Sequence, residues 1–162
     1  MCDIKLLHYI SCNNTEAAEQ LLMTGTNPNI VDGELRTALH LAASKSYVAA
    51  TELLLKYKAD PNRKDILNNT PLHLAVCTGN IRIIDMLISS GANLRALDMH
   101  RRNPLQLIES KMLMQRRHRM NGTIEIKQSH GQLEEVRFLL LIHRGNGKVR
   151  SEKIFFYRLL VD

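Results

Sequence analysis

The sequence predicts an all-α solenoid of about four stacked helix pairs, the first and last degenerate, and three observations carry that prediction. A seven-residue core, Thr37-Ala38-Leu39-His40-Leu41-Ala42-Ala43, returns 33 residues later as Thr70-Pro71-Leu72-His73-Leu74-Ala75-Val76. After a second step of 33 it returns in weaker form as Asn103-Pro104-Leu105-Gln106-Leu107-Ile108. A turn-forming segment recurs at the same period, as Thr26-Asn27-Pro28-Asn29, Ala59-Asp60-Pro61-Asn62 and Ala92-Asn93-Leu94-Arg95. Aromatic residues make up 4% of the chain and Trp is absent, so the core must be built from Leu, Ile and Ala, which suits thin helices stacked closely. Units of this length cannot bury their apolar faces alone and are stable only as an array.

The first unit spans about 4–36. Leu6 falls in register with Leu39 and the Leu21-Leu22 pair with Leu54-Leu55, but His8 and Tyr9 stand where Leu41 and Ala42 would. A terminal unit faces water on one side, so an atypical sequence is expected there. Thr15, Glu16, Ala17, Ala18 and Glu19 open its second helix and Gly25 stops it. The units at 37–69 and 70–102 each begin a helix at a Thr that can cap it. Pro71 and Pro104 follow the starts of the third and fourth units, where a missing N–H costs nothing. Leu39, Leu41 and Ala42, repeated as Leu72, Leu74 and Ala75, form an apolar face. Second helices are predicted at 48–57 and 81–89. The fourth unit, about 103–145, carries an insert of about 19 residues near 112–130 relative to the earlier spacing. Its first helix is expected to run on towards Asn121-Gly122, and its second to begin near Gly131, in the role of Gly79. A basic and apolar tail occupies 146–162.

Charge is uneven along the chain: residues 1–94 hold 8 Lys/Arg against 9 Asp/Glu, while 95–162 hold 14 against 7. No apolar run of about 18 residues is present, which argues against a membrane span, and the N-terminus lacks the pattern of a secretory leader. Cys2, Cys12 and Cys77 are odd in number and lack metal-ligand spacing, so free thiols in a reducing compartment are expected. His73 and Cys77 lie one helical turn apart, but no second pair completes a zinc site. There is no G-x-S-x-G, phosphate loop or H-E-x-x-H. His40 and His73 recur once per unit, which marks them as structural. A non-catalytic chain without cofactors follows.

Period, core motif and flanking residues together resemble the ankyrin-repeat family. The resemblance implies paired antiparallel helices with β-hairpin fingers, and a His in each unit that hydrogen-bonds to its neighbour with help from Thr37 or Thr70. It also implies binding of other proteins, by a monomeric chain, through finger tips and the exposed side of the first helices. In register, the tip positions are Gly33, Glu34 and Arg36, then Ile66, Leu67 and Asn69, then Met99, His100 and Arg102. The helix positions are Ser44 and Lys45, Cys77 and Thr78, and Ser110 and Lys111. Ile66, Leu67 and Met99, ringed by cations, look like the apolar centre of an interface with a polar rim. The family has Gly three residues after the finger Asp (Asp32, Asp65, Asp98). Here Leu35, Asn68 and Arg101 stand there, and only Asn68 suits a positive φ, so the usual tip is expected in one finger of three.

A closer likeness over about residues 13–113 is to the Lyn-interacting, nucleocytoplasmic-shuttling ankyrin-repeat proteins, resting on Asn69 to Ala75, Cys77-Thr78, Ala96-Leu97-Asp98 and Ser110-Lys111. It implies a signalling adaptor or scaffold in cytoplasm and nucleus with a kinase among its partners. Arg116, Arg117, His118 and Arg119 read either as an import signal or phosphate patch, or as a solvated helix face. Leu133, Val136, Leu139 and Leu141 have the spacing of an export signal, and equally of a buried helix face. The alternative function is an ankyrin-type inhibitor or regulator of a nuclear factor, its basic C-terminal third touching nucleic acid or import machinery. Direct nucleic-acid binding is disfavoured by the lack of stacking aromatics in the basic cluster.

Overall fold

The computed structural model describes residues 3–118 and 125–144. Within them the chain forms α1 (Asp3–Ser11), α2 (Thr15–Met23), α3 (Ala38–Ser44), α4 (Val48–Lys56), α5 (Pro71–Thr78), α6 (Ile81–Ser89), α7 (Pro104–His118) and α8 (Glu125–Arg144). Odd-numbered helices pack on one another in one row and even-numbered helices in a second, each pair closing antiparallel. The solenoid is thus all-helical among the described residues. Its core runs between the rows: Leu6, Ile10, Leu39, Leu54, Leu72, Ile83, Ile84, Leu87 and Ile108 are wholly buried. Ala38, Ala42, Ala43 and Ala75 are equally buried, and their small side chains let the odd-row helices approach closely.

Helix starts follow local chemistry. Asn14 Oδ1 accepts from the Ala17 N–H (3.0 Å) and Asn80 Oδ1 from the Ile83 N–H (3.3 Å), each satisfying a donor that a helix leaves open. Thr37 caps α3 in the same way, its Oγ1 accepting from the His40 N–H (3.4 Å), and at both Thr37 and Thr70 the His three residues on returns a bond to complete a capping box. The Nδ1 of His40 accepts from the Thr37 N–H at 3.1 Å, and that of His73 from the Thr70 N–H at 3.1 Å. An Nδ1 that accepts is unprotonated, so the proton sits on Nε2. His40 Nε2 then donates to the Asn69 carbonyl (3.0 Å) and His73 Nε2 to the Arg102 carbonyl (3.2 Å). Each buried imidazole therefore ties its own helix start to the base of the finger that follows it in the chain, 29 residues on. The fourth unit has Gln106 instead. Its Oε1 accepts from the Asn103 N–H (3.0 Å) while Asn103 Oδ1 accepts from the Gln106 N–H (2.9 Å), a reciprocal cap without a bond to a further finger among the described residues.

Positive φ recurs in three registers: Asn13, Ser46 and Gly79 after the odd helices, Gly25, Lys58 and Gly91 after the even ones, and Leu35, Asn68 and Arg101 in the fingers. The expectation of one standard tip in three is thereby corrected. Leu35 (φ 58°) and Arg101 (φ 57°) adopt the left-handed conformation alongside Asn68 (φ 59°). What holds them is the finger Asp. Asp32 Oδ1 accepts from the Glu34 and Arg36 N–H groups, both at 2.9 Å, and Asp65 and Asp98 repeat the pattern at 2.8–2.9 Å. Two hydrogen bonds to a charged acceptor offset a left-handed penalty of about 1–2 kcal/mol. The fingers are tight turns more than hairpins: among the described residues the pairing is limited to a bridge between Val31 and Thr37.

The last unit is longer than the others, with helices of 15 and 20 residues. Gly131, expected to open the second of these, lies inside α8 instead. Gly79 takes a left-handed φ and is followed by the capping Asn80; Gly131 has Gln132 after it, no such cap, and the helix continues through.

Replacing His73 by Ala leaves a buried donor at Thr70 and a half-buried acceptor at Arg102 without their partner, and urea unfolding should show a loss of about 2–4 kcal/mol. His40→Ala should cost about the same. Burial holds both imidazoles below their ordinary pKa, against opposing contributions from the finger carbonyls and carboxylates. A depressed His pKa means that the unfolded chain binds protons first, so stability is full above about pH 6.5 and falls as pH drops below it. Melts at pH 7.5 and 5.5 should therefore separate, and the separation should shrink in His40→Gln/His73→Gln. Leu35→Gly, by releasing strain, should raise stability by about 0.5–1 kcal/mol, whereas Asn68→Gly should change it little.

Candidate protein-binding surface

The finger tips form a row because their backbones bond to one another. The Ile66 N–H donates to the Glu34 carbonyl at 3.0 Å and the Met99 N–H to the Leu67 carbonyl at 2.9 Å. Adjacent fingers are coupled lower down as well, where Asn29 Oδ1 accepts from the Asp60 N–H and Asn62 Oδ1 from the Asn93 N–H, both at 2.7 Å. A surface built on such a ladder is preorganised, which lowers the ordering cost of binding.

On this row Ile66 (62% exposed), Leu67 and Met99 stand in solvent. Val31, Leu35 and Leu97 are exposed too and extend the apolar row to all three fingers. Leu35 was hidden in the sequence because its register suggested a glycine, and Val31 and Leu97 because they precede the Asp instead of following it. Val31 and Leu35 line one wall of a groove of about 320 Å³ whose other wall is Arg63 and Lys64.

Not every candidate in the sequence is free to bind. Arg36 is bridged to Asp32 (2.9 Å) and Glu34 (3.1 Å), and Arg102 to Asp98 (3.0 Å). Asn69 Nδ2 donates to Asp65 Oδ2 at 3.2 Å. These three side chains brace their own fingers. Partial burial alone would raise the carboxyl pKa of Asp32 and Asp98. Hydrogen bonds from Arg36 and Arg102 outweigh it and hold both below the usual range, so the braces persist at neutral pH. Glu34 and His100 are exposed.

Along the odd-row helices, Ser44, Lys45, Cys77 and Thr78 are exposed and Ser110 and Lys111 half-buried. The hydroxyls of Ser44, Thr78 and Ser110 bond to carbonyls of their own helices, Leu41, Ala75 and Gln106. Lys45 Nζ donates to the Ser11 carbonyl at 2.9 Å, and Lys111 Nζ to the Cys77 carbonyl. Both ammonium groups cap the carboxyl end of the preceding unit's helix, where a cation is favoured. The helix face is brought together as predicted, but two of its cations are engaged in holding the stack.

The candidate targeting elements fall elsewhere. Leu133, Val136 and Leu139 are buried in the core and Leu141 is exposed, so in this fold the export-like spacing serves helix packing. The side chains of Arg116, Arg117 and His118, and the whole of Arg119 and of the 146–162 tail, lie outside the described residues. No helix among the described residues is long and apolar enough to cross a membrane.

Comparison with known proteins agrees with this geometry at the level of the family. A family model described as ankyrin repeats (3 copies) matches residues 7–98, more than half of the chain. No curated protein matches, and the closer likeness to the Lyn-interacting shuttling group is without support. With its period, buried histidines and coupled fingers accounted for, the chain belongs to the ankyrin-repeat family, a family of protein–protein interaction modules.

Proposed function

We propose that this chain is an adaptor or scaffold that binds partner proteins through its finger row, with the adjoining faces of α3, α5 and α7 completing the surface. One observation carries the reading. Ile66, Leu67 and Met99 are exposed on a backbone ladder that holds them in a fixed row, and no packing requirement of the array explains them. Apolar side chains at the centre of a rigid surface with charged residues around it are the composition of an interface core and rim. A place in kinase signalling, with passage between cytoplasm and nucleus, extends the proposal; the sequence feature that favours the passage is the basic 116–119 cluster.

The reading is tested by affinity capture from cell lysate with the wild-type chain beside Ile66→Asp/Leu67→Asp/Met99→Asp. All three residues are exposed, so circular dichroism and thermal midpoint should be little changed. Recovery of the proteins held by the wild type should drop at least about tenfold, as expected when charge enters an interface core. Undiminished recovery with the folded variant would overturn the proposal.

A further inference from the structure

We propose that the outer edge of the third finger docks an acidic, extended polypeptide segment carrying apolar side chains. This rests on the reading that the finger row binds protein, and it names where one partner segment sits and what its chemistry is.

The tip ladder has a direction. Glu34 O takes the Ile66 N–H and Leu67 O takes the Met99 N–H, so each finger offers the next a carbonyl. In that register His100 O is the next acceptor, and among the described residues no fourth finger follows to meet it. The lower couplings end at the same place. Asn29 and Asn62 each reach to the next turn, but the third residue in that register is Arg95, which makes no such contact. A backbone acceptor left at the end of a ladder is the feature an added strand-like segment completes.

Charge and apolarity specify the occupant. Arg95, His100 and Arg101 are all exposed. Arg102 is the cation neutralised there, by Asp98; the guanidinium groups of Arg95 and Arg101 have no carboxylate partner among the described residues. Between them in the chain stand Leu97 and Met99, 43% and 54% exposed. An edge with one open carbonyl, two free guanidinium groups and two apolar side chains fits a segment that donates a backbone N–H and alternates Asp or Glu with apolar residues. Nucleic acid would supply the negative charge, but it offers no apolar side chains to meet Leu97 and Met99, and the edge has no Phe, Tyr or Trp on which a base could stack.

The experiment is selection of a random 12-residue peptide display library on the intact chain, followed by fluorescence anisotropy with the most enriched peptide. The expected pool is acidic with alternating apolar residues. Binding should weaken about tenfold in Arg95→Glu/Arg101→Glu, fall with added salt, and hold within about twofold in Arg82→Glu, an exposed cation of α6 outside the finger row. A peptide indifferent to the arginine reversal but lost in Ile66→Asp/Leu67→Asp would overturn the edge site while sparing the finger-row reading. A library that enriches nothing, or enriches peptides without acidic bias, would also overturn it, leaving the wider reading to the capture experiment. A 20-nucleotide oligothymidylate that binds more tightly than the peptide and is lost on arginine reversal would overturn it in favour of phosphate recognition.

Discussion

The array depends on a neutral imidazole held between two backbones. In a solenoid each unit touches only its neighbours, so whatever sets the spacing of one unit on the next sets the whole. Apolar packing between the odd-row helices supplies most of the attraction, but it is non-directional. His40 and His73 add direction. Each takes a hydrogen bond from the start of its own helix and gives one to the carbonyl at the base of the next finger. Both bonds require the same tautomer, and burial disfavours the proton that would break one of them. The fingers can form a row because each is bonded at its base to one of these histidines.

A second constraint is the backbone of the turns. The positive-φ registers are occupied by Gly, Asn, Ser, Lys, Leu and Arg in different units. Conformation is conserved along the array where residue type is not. The carboxylates of Asp32, Asp65 and Asp98 explain the fingers, since each gathers two N–H groups of its own loop. At the helix ends the same work is done by backbone hydrogen bonds, such as Lys58 N–H to the Leu55 carbonyl and Ser46 N–H to the Ala43 carbonyl. Strain at Leu35 is tolerated because the loop around it is over-determined.

These constraints also decide what is left over for binding. Arg36, Asn69 and Arg102 are drawn into the fingers and Lys45 and Lys111 into the stack, so a good part of the apparent polar rim is internal bracing. The side chains without a structural duty are mainly apolar: Leu35, Ile66, Leu67, Leu97 and Met99. Among the described residues, cations without a carboxylate partner stand at the second finger, as Arg63 and Lys64, and at the third, as Arg95 and Arg101. The finger row grades from Asp32 and Glu34, braced by Arg36, at one end to Arg95 and Arg101 at the other.

The sequence by itself determined the architecture. A 33-residue spacing of a Thr-x-Leu-His core fixes the number of units, the helix pairs and the structural duty of the histidines, because periodic burial admits few solutions. Ile66, Leu67 and Met99 could be placed in solvent from register alone. Three things were decided only by tertiary structure. Leu35 and Arg101 accept a left-handed turn because an Asp three residues earlier pins it, a cost and an offset that single-residue preference cannot weigh. Lys45 and Lys111 are anchors because their ammonium groups meet carbonyls 34 residues back, a contact with no signature in the chain. Leu133, Val136 and Leu139 are core because α8 lies against α6 and α7, whereas their spacing suits a buried stripe and a recognition signal equally well.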